Sequence, residues 1–203
     1  LQPGLAQRAR EVAALQQLGV GADQDAGDRA LHFERAGERE QARDFLQALR
    51  IGQALFRQRL NLALEIALQQ PGVDSEKVAV VGYCFGGTAA LELARSGAEL
   101  QAIVSFHGGL DSPNPADGKN ITGQVLALHG ADDPYVPAKD LAGFEAEMQT
   151  NNVNYQLIQY PGAVHSFTDV GAGTDNSKGA AYNAAADQQS FAEAKKLLAA
   201  TLK

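Results

Sequence analysis

A single cysteine, Cys84, stands in 203 residues. No internal disulfide is possible, so nothing marks an oxidising compartment. No apolar run approaches the roughly 18 residues of a membrane span. The chain has no CxxC, no HExxH and no Walker loop, so no metal, nucleotide or other cofactor is implied. Basic side chains are the minority, 17 against 24 acidic, for a net charge of −7. Nucleic acid and anionic membranes need a basic face, so neither is expected as a partner. No signal peptide opens the chain at Leu1. The expected compartment is the cytoplasm, with the periplasm left open because a chain beginning on leucine could have lost its leader.

What is present is ordinary for a globular protein: 45% hydrophobic and 20% charged residues. The length fits one domain, 1–203, with a sizeable core. It divides unequally. Residues 1–72 read as helical, with one apolar face at Leu5, Ala9, Val12 and Leu15. A second face runs through Phe45, Leu49, Phe56, Leu60, Leu64 and Leu68, on a stretch weakened at Gly52. Between the two, Gly19 to Arg39 is charged and reads as a solvated loop, with His32 exposed in it.

From Val73 onward the pattern alternates. Strands are expected at Val78–Gly82, Ala102–Phe106, Val125–His129 and Tyr155–Tyr160. Helices are expected at Gly86–Ser96, Ala138–Thr150 and from about Ala186 to Leu202. Short apolar strands separated by helices mean an α/β fold, a mostly parallel sheet with helices on both faces. The polar segment 171–178 reads as a mobile surface excursion.

The run Val78-Ala79-Val80-Val81-Gly82-Tyr83-Cys84-Phe85-Gly86-Gly87-Thr88 is the most informative part of the chain. It reads as strand, tight turn and helix, with a nucleophile at the apex. Glycines two before and two after Cys84 let the backbone pass close to its neighbours. A helix N-terminus just past the thiol favours the thiolate. A lone cysteine is commonly a small buried hydrophobe. Here strand, glycine spacing and helix agree on the nucleophile elbow of α/β-hydrolases, with Cys in place of Ser.

A cysteine nucleophile needs a base, and the base an orienting acid, in the chain order nucleophile, acid, histidine. An acid pair, Asp132 and Asp133, follows the third strand. One should orient the base and the other form the turn. His165 follows the fourth strand on a loop opened by Pro161 and Gly162. His107 and His129 end strands, where they could border the site, and read as structural.

These three motifs, Gly82-Tyr83-Cys84-Phe85-Gly86-Gly87, Asp133 before Pro134-Tyr135-Val136-Pro137, and Gly162-Ala163-Val164-His165-Ser166-Phe167, resemble the dienelactone hydrolase family. Its members are α/β-hydrolases with a Cys-Asp-His triad that cleave lactones and esters. The resemblance covers roughly Val73 to Lys203 and selects Asp133 as the acid. It implies a small-molecule ester or lactone substrate, a thioester on Cys84, and half the oxyanion hole from the Phe85 N–H. Phe85, Tyr135, Ser166 and Phe167 would line the pocket, in a monomer or homodimer. The same triad would also serve a thioesterase or acyltransferase. A relative without catalysis would keep the thiol as a redox sensor.

Two departures from the family stand out. A strand and loop near the family's N-terminus supply a second oxyanion donor and a glutamate partner for the cysteine, and neither is matched here. Leu5–Leu18 resembles the helix after that loop, yet the following Leu18–Asp25 is too polar for a central strand. The sequence therefore reads as incomplete upstream, or unlike the natural one across 19–40, and at least two further strands are expected. Members acting on a carboxylated lactone place arginine four residues after the histidine. Asp169 stands there, so neutral substrates are expected.

Overall fold

The computed structural model describes residues 52–203, all within one compact unit. The helical face at 5–15, the charged segment with His32, and Phe45 and Leu49 lie outside the described residues. Helix α1 (Gln53–Leu68) begins directly after Gly52. Phe56, Leu60, Leu64 and Leu68 are among its half-buried positions, and Leu60 and Leu64 pack on the core.

Four strands follow: β1 (Ala79–Tyr83), β2 (Ala102–Phe106), β3 (Gln124–Gly130) and β4 (Tyr155–Tyr160). They pair in the order β1-β2-β3-β4, all parallel. Between them run α2 (Phe85–Arg95), a 3-10 segment (Pro115–Asn120) and α3 (Ala138–Thr150). Helix α4 (Ala184–Thr201) closes the chain. β2, β4 and α3 have the bounds expected from sequence, and β1, β3, α2 and α4 shift by one or two residues.

Right-handed crossovers that always step toward the next strand leave their helices on one face. Alternate strand residues therefore enter different layers. Ile103, Val125 and Ala127 pack with Leu91, Phe144 and Met148 beneath α1, α2 and α3. Ala102, Val104, Phe106, Leu126 and Leu128 pack with Ala186, Ala194 and Leu197 of α4. α4 leaves the outer part of β1 uncovered, with Val81 43% and Tyr83 46% exposed. Tyr83 lies flat on Phe106, ring centres 4.5 Å apart.

Beneath α2 lies a closed cluster of charges. Arg95, 0% exposed, donates two hydrogen bonds to Glu147, at 2.9 and 2.7 Å. A third goes to Glu92 at 2.9 Å. Arg57 of α1 reaches the same Glu92 at 2.9 Å and Asp117 at 2.6 Å. The cluster thus ties α1, α2, α3 and the 3-10 segment together.

The polar segment 171–178 lies at the surface, exposed along most of its length. It forms two short 3-10 turns, Val170–Ala172 and Asn176–Lys178, each capped by an aspartate, Asp169 and Asp175. Its far end bridges to the His165 strand of backbone through Ala180. Its Asx caps and backbone bonds are invisible to a composition reading.

Among the described residues no helix is long and apolar enough to cross a membrane.

Candidate active site

All the candidate residues sit at the carboxyl ends of the strands, where ligands bind in open parallel sheets. β1 ends at Tyr83, and Cys84 turns sharply into α2 with φ 53 and ψ −123. That conformation is strained for any residue with a side chain and costs about 1–3 kcal/mol. The glycines act unequally. A Cβ on Gly82 would lie 1.9 Å from the Gly86 carbonyl oxygen, and one on Gly87 would meet Ser105 Oγ at 2.5 Å. A Cβ on Gly86 would meet nothing within 4 Å. Close approach is required before the apex and at the second glycine after it, not at Gly86.

Three sequence-expected residues come together. Cys84 Sγ lies 3.0 Å from His165 Nε2, and His165 Nδ1 lies 2.8 Å from Asp133 Oδ2. The Asp133 side chain is wholly buried, and its other oxygen accepts from the Tyr135 N–H at 2.8 Å. Asp132 is exposed and accepts from the Gly162 N–H at 3.1 Å. It ties the loop after β3 to the loop after β4, while the turn bond to an N–H two residues on is made by Asp133 itself, so the expected division of one acid and one turn former does not hold.

The electrostatics favour a charge-separated pair. Burial alone would push the Cys84 thiol up. The hydrogen bond and charge of His165, with the Phe85 N–H, outweigh it and hold the thiol below its ordinary value. Burial alone would push His165 down. The bonds to Asp133 and Cys84 and their charges lift it to about 9. The two protons belong to the pair and come off as coupled steps.

The residues expected to line the pocket fare differently. Phe85 turns its ring toward Phe56 of α1, centres 5.3 Å apart, while its N–H faces the sulfur. Tyr135 stands edge-on to His165 at 5.3 Å and is 45% exposed. Ser166 has a positive φ of 56 and is half-buried. Phe167 is 0% exposed and packs against Tyr160 and His107. It supports the site from below and lines no open surface. Asp169 folds its carboxylate back onto the Gly171 N–H at 2.8 Å.

Sequence reasoning allowed that His107 and His129 border the site but read both as structural. Both are buried, but His107 touches the site. Its Nδ1 accepts from the Cys84 N–H at 3.1 Å, and its ring lies 5.2 Å from that of His165. The available signal was a histidine at the end of the strand next to the nucleophile strand.

Parallel strand order, the faces taken by the crossovers and the turn at Cys84 put the chain among the α/β-hydrolases. The family follows from comparison. The model of the dienelactone hydrolase family matches residues 20–202, and the chain belongs to that family. This match reaches further toward the N-terminus than the motifs do. A solved dienelactone hydrolase-like promiscuous phosphotriesterase from metagenomic libraries is 40% identical over 79% of this chain and 67% of its own, with TM-score 0.74. The solved protein m3DLH is 36% identical over 100% of this chain and 82% of its own, with TM-score 0.78. A probable 2-oxo-3-(5-oxofuran-2-ylidene)propanoate lactonase of Bradyrhizobium is 32% identical over 53% of this chain. The alignment spans 47% of that relative's length.

Proposed function

We propose that the chain hydrolyses a small lactone or carboxylic ester through a thioester on Cys84. The observation that carries this reading is the line Cys84 Sγ–His165–Asp133, 3.0 and 2.8 Å in its two links, set on a strained elbow. The thiolate attacks the carbonyl carbon and forms the carbon–sulfur bond. Negative charge moves to the carbonyl oxygen beside the Phe85 N–H. As the tetrahedral species collapses, the carbon–oxygen bond to the leaving group breaks. His165 Nε2 gives that alkoxide its proton. Neutral His165 then takes a proton from water, which attacks the thioester and restores the thiolate with release of the acid. Asp133 fixes the imidazole tautomer throughout.

Tyr135, edge-on to His165, and Ser166, next to His165 in the chain, are proposed to meet the substrate, with Phe85 beside the sulfur. No cofactor takes part in this scheme. The partner is a small molecule, and the cytoplasm remains the proposed compartment.

The test is turnover of a short-chain nitrophenyl ester and a five-membered lactone, with mass spectrometry of acid-quenched enzyme. Hydrolysis together with an acyl adduct on the Cys84 peptide is expected. Thioester substrates preferred over both would favour the thioesterase or acyltransferase reading. No turnover, with ready oxidation of the thiol, would favour the redox reading. The 40% identity to a promiscuous phosphotriesterase makes a phosphotriester a useful additional substrate, expected to react weakly through the same thiolate.

A further inference from the structure

His107 makes a second link between the elbow and the His165 loop, beside the Cys84–His165 contact itself. It follows β2 with a positive φ of 40, and its N–H continues the ladder to Leu128 O at 2.8 Å. That backbone turn aims the imidazole back across the sheet toward β1. The Cys84 N–H is shared between Phe106 O at 3.0 Å and His107 Nδ1 at 3.1 Å. The other nitrogen, Nε2, lies 2.9 Å from Thr168 Oγ1, three residues beyond His165. Accepting at Nδ1 places the ring proton on Nε2, which donates to the threonine. Phe167 and His165 hold the ring edge-on at 5.1 and 5.2 Å.

We propose that His107 is a positioning residue that couples the elbow carrying Cys84 to the loop carrying His165. It rests on the reading of Cys84 and His165 as the reacting pair. The strained amide of the nucleophile and the loop of the base are bonded to opposite ends of one rigid ring. The sulfur–imidazole separation is therefore set by a side chain that touches neither reacting atom. The ring must stay neutral to do this, because a protonated Nδ1 has no lone pair for the Cys84 N–H. Burial and the neighbouring His165 charge push His107 down to about 3. Asp133 pulls the other way, His129 adds to the depression, and Tyr83 stands 6.1 Å off.

The test uses the full chain and two readouts: ester kinetics, and the pH dependence of Cys84 alkylation by iodoacetamide. A misplacement of about 1 Å costs about 100-fold in rate. His107→Leu should therefore lower kcat about 100-fold with KM little changed, and shift the alkylation midpoint up toward the free-thiol value of about 8.5. His107→Asn keeps an acceptor near Nδ1 and loses the reach to Thr168, so it should fall between. Thr168→Val should move both readouts the same way, and Thr168→Ser should restore most of the loss. A wild-type alkylation profile in His107→Leu, or equal effects of valine and serine at 168, overturns the coupling. Should His107→Leu fail to fold, the Thr168 pair decides alone. Cys84→Ala run alongside separates the claims. If it still turns over ester, the nucleophile reading has failed, while the alkylation profile of the other variants still reports on His107.

Discussion

Two charged clusters are built around the same helix, and they end differently. At its C-terminal half, Arg95 and Glu92 join Glu147, Arg57 and Asp117. Arg95 is fully buried, and partners surround its guanidinium. At its N-terminal end, Asp133, His165 and Cys84 form a line whose last member is exposed. The first cluster is closed and the second opens to solvent at a sulfur. A closed buried network is bound to structure, because removing one member strands a charge. An open one leaves a reactive atom for a substrate. Burial and short distances alone do not separate the two, and the free end does.

The comparison is broken most severely if Cys84 proves dispensable. Cys84→Ala should abolish nitrophenyl ester turnover, with thermal stability equal or higher, since the closed cluster is untouched. Wild-type rates in this variant would remove the distinction altogether. Asp133→Asn should cost about 10⁴-fold in kcat through the wrong tautomer. Asp132→Asn keeps a carbonyl acceptor for the Gly162 N–H and should cost far less, and equal losses would mean the wrong carboxylate was chosen.

Arg95→Leu tests the other cluster. It leaves Glu92 and Glu147 buried without their cation, which costs about 3–5 kcal/mol of stability. The rate per folded molecule should hold. A selective loss of kcat at unchanged melting temperature would show that the closed cluster serves the chemistry.

The pH profile sharpens the open end. His165 holds its proton up to about 9. An alkyl ester, whose leaving alkoxide needs that proton, should lose rate above pH 9 by about tenfold per unit. A nitrophenyl ester, with a good leaving group, should show a weaker limb. Identical limbs would argue against His165 as the proton donor.

The smallest effect is expected at Asp169. Its carboxylate is occupied by the Gly171 N–H, which weakens its repulsion of an anionic substrate. Asp169→Arg should shift kcat/KM toward a carboxylated lactone by only a few-fold at low salt. No shift would place the residue outside the pocket's field.

Much of the fold was legible because local signals suffice for it. Ala102–Phe106, followed by His107-Gly108, and Tyr155–Tyr160, closed by Pro161, are short β-favouring runs, and both are strands with those bounds. The elbow was legible because strand, glycines and helix are contiguous in sequence. His107 was not, because its contact with Cys84 spans 23 residues. It exists only once β1 and β2 pair in register, Tyr83 opposite Phe106. Phe167 was misjudged for a related reason. Its neighbour His165 faces the sulfur, and the positive φ of Ser166 between them turns the next side chain into the core. No periodicity announces such a reversal.

The strained turn at Cys84 has a consequence for anyone improving this protein. Its φ of 53 and ψ of −123 suit glycine better than any other residue. A library screened only for heat resistance should therefore enrich Cys84→Gly and return robust, inert molecules. Selection for thermostability in this scaffold needs a turnover counter-screen, because its most accessible gain in stability lies at the residue proposed to carry the acyl group.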